Sequence, residues 1–177
     1  KRGLSMTAFP RFTGAIGRAL LSSALAMAAA WPAAAQIKIG QTSSFTSPVA
    51  AGVKEGTDGA KVYLDAINER GGIDGQKIEL ISMDDRFDPK LAAENAKTLI
   101  EKGAVALFFN RGTPQSQAIL PVLERYRVPL IAPSTGAMLL HKPVHPWVFN
   151  VRATYQREAE RAVRHLHLVG MNRIVLL

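Results

Sequence analysis

Six apolar residues stand in a row at Ala104-Val105-Ala106-Leu107-Phe108-Phe109. On either side lies an amphipathic stretch that opens on a capping residue followed by proline, Asp88-Pro89 before it and Thr113-Pro114 after it. A short run without polar interruption is the pattern of a parallel strand covered on both faces. Cap-then-proline pairs mark helix starts. The side-chain oxygen accepts from free backbone amides, and proline has no amide to leave unpaired in the first turn.

The same alternation extends in both directions. Ile37-Lys38-Ile39-Gly40-Gln41 alternates as a short strand. A polar, flexible stretch from Thr42 to Pro48 follows, then a helix from about Val49 to Asn68. Its apolar or small positions Val53, Gly56, Ala60, Tyr63, Leu64 and Ile67 recur at three- and four-residue spacing. Gly71-Gly72 stops that helix, and Asp74-Gly75 turns the chain into a strand over Lys77–Met83. The helix opened by Asp88 presents Leu91, Ala92, Ala96, Leu99 and Ile100 on one side and ends at Gly103. The helix from Thr113 runs to about Arg127 with a kink expected at Pro121. Strands are predicted at Val128–Ala132, Trp147–Val151 and Ile174–Leu177, with a helix over Tyr155–Val169. This order implies an α/β fold, a three-layer parallel sheet with helices on both faces. The last predicted strand has no neighbour and would leave an exposed edge, so the chain is expected to be a fragment.

The 177 residues carry 22 Lys+Arg against 14 Asp+Glu, a formal net charge of +8, and no Cys. Without Cys there is no disulfide scaffold, thiolate zinc site, iron–sulfur cluster or thiol nucleophile. The first 35 residues hold Lys1, Arg2, Arg11 and Arg18 and no acidic residue. After Arg18 comes an apolar run, Ala19–Ala30, then Trp31-Pro32 and Ala33-Ala34-Ala35. A basic start, a short apolar centre and a small-residue end predict a secretory signal peptide cut between Ala35 and Gln36. A membrane anchor is the rival reading, but a spanning helix needs about 20 apolar residues, more than this run offers before Pro32 interrupts it. Met6 reads as the natural start, with Lys1 to Ser5 as upstream read-through. The chain from Gln36 keeps 18 basic and 14 acidic residues, a net charge of +4, with no basic cluster interleaved with aromatics. Nucleic acid is therefore not an expected partner.

In parallel sheets, ligands sit beyond the carboxyl ends of the strands. Three loops lie there: Thr42 to Pro48, Asn110 to Pro114 and Pro133 to Ala137. Arg111-Gly112-Thr113 offers a cation, a close backbone approach, a hydroxyl and a helix N-terminus, a combination that favours an anion such as a carboxylate. The bland reading is that Thr113 only caps its helix and Arg111 is solvated. Ser134-Thr135-Gly136-Ala137 places small residues and hydroxyls where a ligand needs space and donors; otherwise it is an ordinary turn. Asp84-Asp85 follows a strand, and adjacent residues there point to opposite faces, which makes a poor acid/base or metal pair. His141 and His145 flank Pro143, and His165 and His167 are two apart on a helix, so neither pair has metal-ligand spacing. No Gly-x-Ser-x-Gly, His-Glu-x-x-His or phosphate loop occurs. Neither a metal nor a redox cofactor is implied.

Several segments in this order carry a family resemblance. They are Ile67-Asn68-Glu69-Arg70-Gly71-Gly72-Ile73-Asp74-Gly75, Met83-Asp84-Asp85-Arg86-Phe87-Asp88-Pro89, Gly112-Thr113-Pro114, Val128 to Ala137, and Arg152-Ala153-Thr154-Tyr155. Over Ile37 to Leu177 the chain resembles the N-terminal part of the branched-chain amino acid (Leu/Ile/Val) substrate-binding proteins of ABC transporters, which are type I periplasmic binding proteins. The resemblance implies an N-terminal ligand-binding lobe over 36–152 and, over 153–177, the crossover and first helix-strand of a second lobe, most of it missing. It implies that Thr113 holds a ligand's carboxylate and ammonium groups and that Ser134 and Gly136 lie on the second contact loop. Thr135 and Ala137 belong to the same loop, and Tyr155, near the crossover, lines the cleft. Branched-chain binders carry a threonine where this chain has Gly136, and often an aromatic residue where it has Gly52. These departures point away from a leucine-type ligand and leave another small carboxylate.

The resulting expectation is a monomeric periplasmic solute receptor that is no enzyme and delivers an amino acid or related carboxylate to ABC transporter permease subunits. Two other classes share the expected fold. A receptor's ligand-sensing domain would be followed by a transmembrane helix and a signalling module. A periplasmic flavodoxin-like enzyme would depend on Asp84 or Asp85. Sugar-responsive repressors need an N-terminal helix-turn-helix where this chain has its signal.

Overall fold

The chain from Gln36 builds five parallel strands in the order β2-β1-β3-β4-β5: β1 (Ile37–Ser43), β2 (Ile78–Asp84), β3 (Ala106–Phe108), β4 (Leu130–Ile131) and β5 (Val148–Phe149). These elements belong to a computed structural model that describes residues 36–175. The signal-peptide reading, the cut after Ala35 and Leu176-Leu177 of the last expected strand lie outside the described residues. Helices α1 (Ala50–Glu69), α2 (Pro89–Glu101), α3 (Thr113–Tyr126) and α4 (Tyr155–Leu168) alternate with the strands, and a short 3-10 turn spans Met138–Leu140. The expected α/β parallel-sheet architecture is what the chain adopts.

The strand order follows from connection handedness. From β1 the chain moves outward to β2, then returns past β1 to β3 and continues to β4 and β5. Right-handed crossovers then place α1 on one face and α2 and α3 on the other. Packing agrees, because α2 lies against α3 and β1, whereas α1 lies against β2. The main core sits under α2 and α3, where Ala92, Ala96, Leu99, Leu107, Ile119, Leu123 and Leu130 bury their side chains together. The alanines of α2 allow that helix to approach the sheet closely, while Leu99, Ile119 and Leu123 supply the volume.

Local signals act largely as expected. Asp88 accepts from Lys90 N at 2.7 Å and Leu91 N at 3.2 Å, capping α2. The Asn68 side chain ties the end of α1 to β2, with Ile78 N donating to Asn68 Oδ1 at 2.7 Å and Asn68 Nδ2 donating to Ile78 O at 2.8 Å. Helix α3 continues through Pro121 and ends at Arg127, which takes the left-handed conformation at φ +54°.

Several expectations are corrected. Strand β1 runs on through Thr42 and Ser43, which were expected to be flexible; both are buried, as is Gln41. Their polar groups find partners across the sheet. Gln41 Nε2 donates to Thr57 Oγ1 at 2.9 Å, Ser82 Oγ donates to Gln41 Oε1 at 2.7 Å, and Ser43 Oγ donates to Phe109 O at 3.3 Å. A satisfied polar residue can be buried like an apolar one. Strand β3 is only three residues long: Val105 is 59% exposed, and Phe109 at φ +52° turns the chain out of the sheet. Tyr63 belongs to solvent rather than to the buried stripe of α1, being 67% exposed. At 3.6 residues per turn it lies roughly 80° around the helix from Val53, beyond the edge of the covered face. Ile174 and Val175 form no strand, since no neighbouring strand among the described residues offers them a ladder.

Candidate functional site

Where β1 and β3 lie side by side, their following helices leave in opposite directions, and it is beyond such strand ends that parallel sheets hold ligands. The β1–α1 loop and the β3–α3 loop lie there. Among the described helices, α1 and α3 share a feature that α2 and α4 lack. Neither has a side-chain cap at its N-terminus, and neither carries an acidic residue in its first turn. Helix α2 is capped by Asp88, and α4 is capped by Thr154 with Glu158 in its first turn. Free amides and the positive ends of two helix dipoles therefore face the same region.

Asp84 pins the first loop. Its carboxylate accepts from Phe45 N at 2.9 Å, Thr46 Oγ1 at 2.6 Å and Arg86 N at 3.0 Å. Burial pushes this carboxyl up, but those hydrogen bonds and the Arg86 charge outweigh it and hold it below its ordinary range. Asp85 points elsewhere. It is fully buried, and it accepts from Phe87 N at 2.9 Å and Thr42 Oγ1 at 3.3 Å. Burial raises this carboxyl, with the Phe87 amide opposing. The two aspartates thus serve different loops and form no acid/base pair. No cluster of three or more metal-ligating side chains occurs among the described residues.

The second loop is braced by buried amides. Asn110 Nδ2 donates to Ser116 Oγ at 2.7 Å, and Ser116 Oγ donates to Gly112 O at 2.7 Å. Gly112, at φ +105°, is the N-cap of α3, which corrects the reading of Thr113 as the cap; Thr113 is the first helical residue. A side chain at Gly112 would be strained by that φ and would overlap Gln115 Oε1. Relieved of capping, the Thr113 hydroxyl lies 2.7 Å from that of Thr135.

Thr135 is the hub of the site. Its fully buried hydroxyl also lies 3.0 Å from Tyr155 Oη and accepts from Ala137 N at 3.3 Å. Tyr155 itself is 44% exposed. Ser134 acts through its backbone, donating to Asn110 O at 2.8 Å and bridging in parallel to Arg111. Gly136 takes the Ala153–Tyr155 segment against it. Tyr155 N donates to Gly136 O at 2.8 Å, and a Cβ on Gly136 would come within 2.7 Å of Ala153 O. The Tyr155 phenol is held below its ordinary value of 10.0, first by the hydrogen bond to Thr135 and, against burial, by the Gly136 backbone, Thr113 and Arg152. Arg152 lies 5.0 Å from the Tyr155 ring centroid, fixed by a two-pronged pair with Glu158 at 2.7 Å.

Of the residues singled out in the sequence, Thr113, Thr135, Gly136, Ala137 and Tyr155 come together directly. Arg111, Gly112 and Ser134 hold the adjoining loop. Sequence reasoning missed Asp84 as the anchor of the first loop and Thr135 as the shared partner of two hydroxyls. The row of hydroxyls in Ser134-Thr135 was visible, but not which of them turns inward. A separate concavity along α4, lined by Ala153, Arg157, Glu158, Glu160, Arg161 and Arg164, includes none of these hydroxyls.

No described helix is long and apolar enough to cross a membrane. No curated protein matches the chain. Among solved structures it is similar to an extracellular ligand-binding receptor from Verminephrobacter eiseniae, with 37% identity and a TM-score of 0.69 over 77% of this chain and 39% of that one. It is also similar to a substrate-binding periplasmic protein from Ralstonia solanacearum, with 30% identity and a TM-score of 0.70 over 76% and 38%. The branched-chain amino acid transporter substrate-binding protein LivJ of Streptococcus pneumoniae, solved with isoleucine, shares 27% identity and a TM-score of 0.63 over 68% and 34%. The chain therefore spans under two fifths of the length of these relatives. The periplasmic binding protein family matches residues 36–177. With this sheet order and that match, the chain belongs to the periplasmic binding protein family.

Proposed function

We propose that the chain is the N-terminal ligand-binding part of a periplasmic solute receptor that delivers an amino acid or related small carboxylate to an ABC importer. The observation that carries this reading is the chain of hydroxyls Thr113–Thr135–Tyr155, set between α3's uncapped amides and the start of the crossover. The one hydroxyl proton not used within that chain, together with the free amides of α3, offers a carboxylate hydrogen-bond donors. The Streptococcus relative, solved with isoleucine, supports an amino-acid-like ligand.

In this reading the two lobes close around the solute, exclude water and present the closed form to the permease as a monomer. The basic, apolar N-terminal segment before Gln36 directs export and is removed.

The test is a thermal-shift screen of amino acids and small organic acids on the full-length protein, followed by calorimetry on the hits. A carboxylate ligand is expected to raise the melting temperature. Thr113→Ala should weaken its binding about tenfold, or about 1.4 kcal/mol. Unchanged affinity in Thr113→Ala would remove this residue from the site, and stabilisation by no carboxylate would overturn the reading.

A further inference from the structure

The half-buried side chain of Arg111 stands over Gly52, the third residue of α1, the helix that follows β1. A Cβ built on Gly52 would lie 3.5 Å from Arg111 Nη1 and 3.9 Å from Cζ. The guanidinium thus fills the space into which a side chain at position 52 would grow. Among the described residues, no carboxylate lies within ion-pair distance of Arg111. Asp84 is tied to the first loop and Asp85 is buried elsewhere, so neither supplies a counter-charge. The backbone of Arg111 is fixed by its bridge to Ser134, on the loop that carries Thr135. One short segment therefore brings a rigidly rooted, uncompensated cation and a set of hydroxyls to the same end of the sheet.

We propose that Arg111 is a specificity-determining residue that receives a second carboxylate of the solute. The ligand class is then a short diacid rather than a monocarboxylate with an aliphatic tail. This rests on the reading given under Proposed function, in which the hydroxyl chain holds the first carboxylate. A guanidinium matches a carboxylate with two parallel hydrogen bonds, and desolvation in a closing cleft strengthens that pairing. An aliphatic tail in the same place would leave the half-buried cation without a partner, which selects against monoacids. Gly52 is what makes the space. A side chain longer than alanine's there would compete with the guanidinium.

The test is calorimetry on the full-length protein with chain-matched probes: succinate against butyrate, glutarate against pentanoate, and glutamate against norvaline. At least one diacid is expected to bind tenfold or more tighter than its monoacid partner. Arg111→Ala should erase that preference, weakening the diacid and tightening the monoacid, whose tail no longer meets an unpaired cation. Arg111→Lys should keep part of it, and Gly52→Leu should reduce it with the helical circular dichroism intact. Monoacids that bind as tightly as diacids, or diacid binding that survives Arg111→Ala, would overturn this assignment. If Thr113→Ala still weakens binding in that case, the receptor reading stands without it. Binding of no probe in either set would overturn both.

Discussion

The hydroxyls of Thr113 and Thr135 meet at 2.7 Å across 22 residues of chain, one on the first turn of α3 and the other on the loop after β4. The contact exists because β3 and β4 are parallel neighbours, paired Leu107 to Leu130 and Phe108 to Ile131, so that their following loops emerge side by side. Thr135→Val keeps the shape and removes the shared hydroxyl. Stability is expected to fall by about 1–2 kcal/mol in denaturant unfolding, the usual loss when buried hydrogen bonds go unmade. The Tyr155 phenol, now held low first by Thr135, should move up toward its ordinary value of 10.0. Ultraviolet titration of tyrosinate reads this shift, and an unmoved titration curve would count against the hydroxyl chain.

Gly136 is required by closeness. A Cβ there would stand 2.7 Å from Ala153 O and 2.8 Å from Tyr155 N, both backbone atoms that cannot rotate away. Gly136→Ala should displace the start of α4, separate Tyr155 from Thr135 and destabilise the protein by about 1–3 kcal/mol, the range for overpacking. Thermal unfolding measures the loss. Wild-type stability in this variant would mean that the Ala153–Tyr155 segment does not lie against the loop.

Asp85 gives a pH dependence of a definite sign. Its carboxyl is raised above the ordinary value of 3.8, first by burial, so the folded state holds the proton more tightly than the unfolded chain. Its contribution is therefore fully present below 3.8 and is lost as pH rises through the raised value. Asp85→Asn keeps an acceptor for Phe87 N but removes the titration. Unfolding free energies measured from pH 3 upward should show the variant gaining on the wild type as pH rises. A constant difference across that range would show that Asp85 is not the group responsible.

Asp88 acts locally. It accepts from two amides at the start of α2, the helix that lines the main core. Asp88→Ala is expected to lower stability by about 1 kcal/mol in denaturant unfolding, while solute binding measured by calorimetry stays unchanged. A change in affinity would tie the α2 terminus to the site.

How much of this was readable beforehand differs from element to element. The Ala104–Phe109 run and the Asp88-Pro89 start announced a parallel α/β sheet, because burial and capping act on neighbours in sequence. Strand direction then placed the Arg111–Thr113 and Ser134–Ala137 loops at the same end of the sheet. Thr42 and Ser43 read as a loop because their polarity is local, whereas their partners Asp85 and Phe109 are distant in the chain. The capping role of Thr113 also failed in the structure, since Gly112 takes that place and Thr135 takes the hydroxyl.

The fold class, the order of its elements and the loops on which a site can form were legible from the residues alone. Those follow from the spacing of apolar residues and from caps that act within a few residues. Assembly of the folded chain was needed to share Thr135 between Thr113 and Tyr155, to set Gly136 against Ala153 and Tyr155, and to lay Arg111 over Gly52. Each of these pairs is created by strand order and by the approach of separate segments. A hydrogen bond or a close contact depends on ångström-scale positions that periodicity along a chain does not carry.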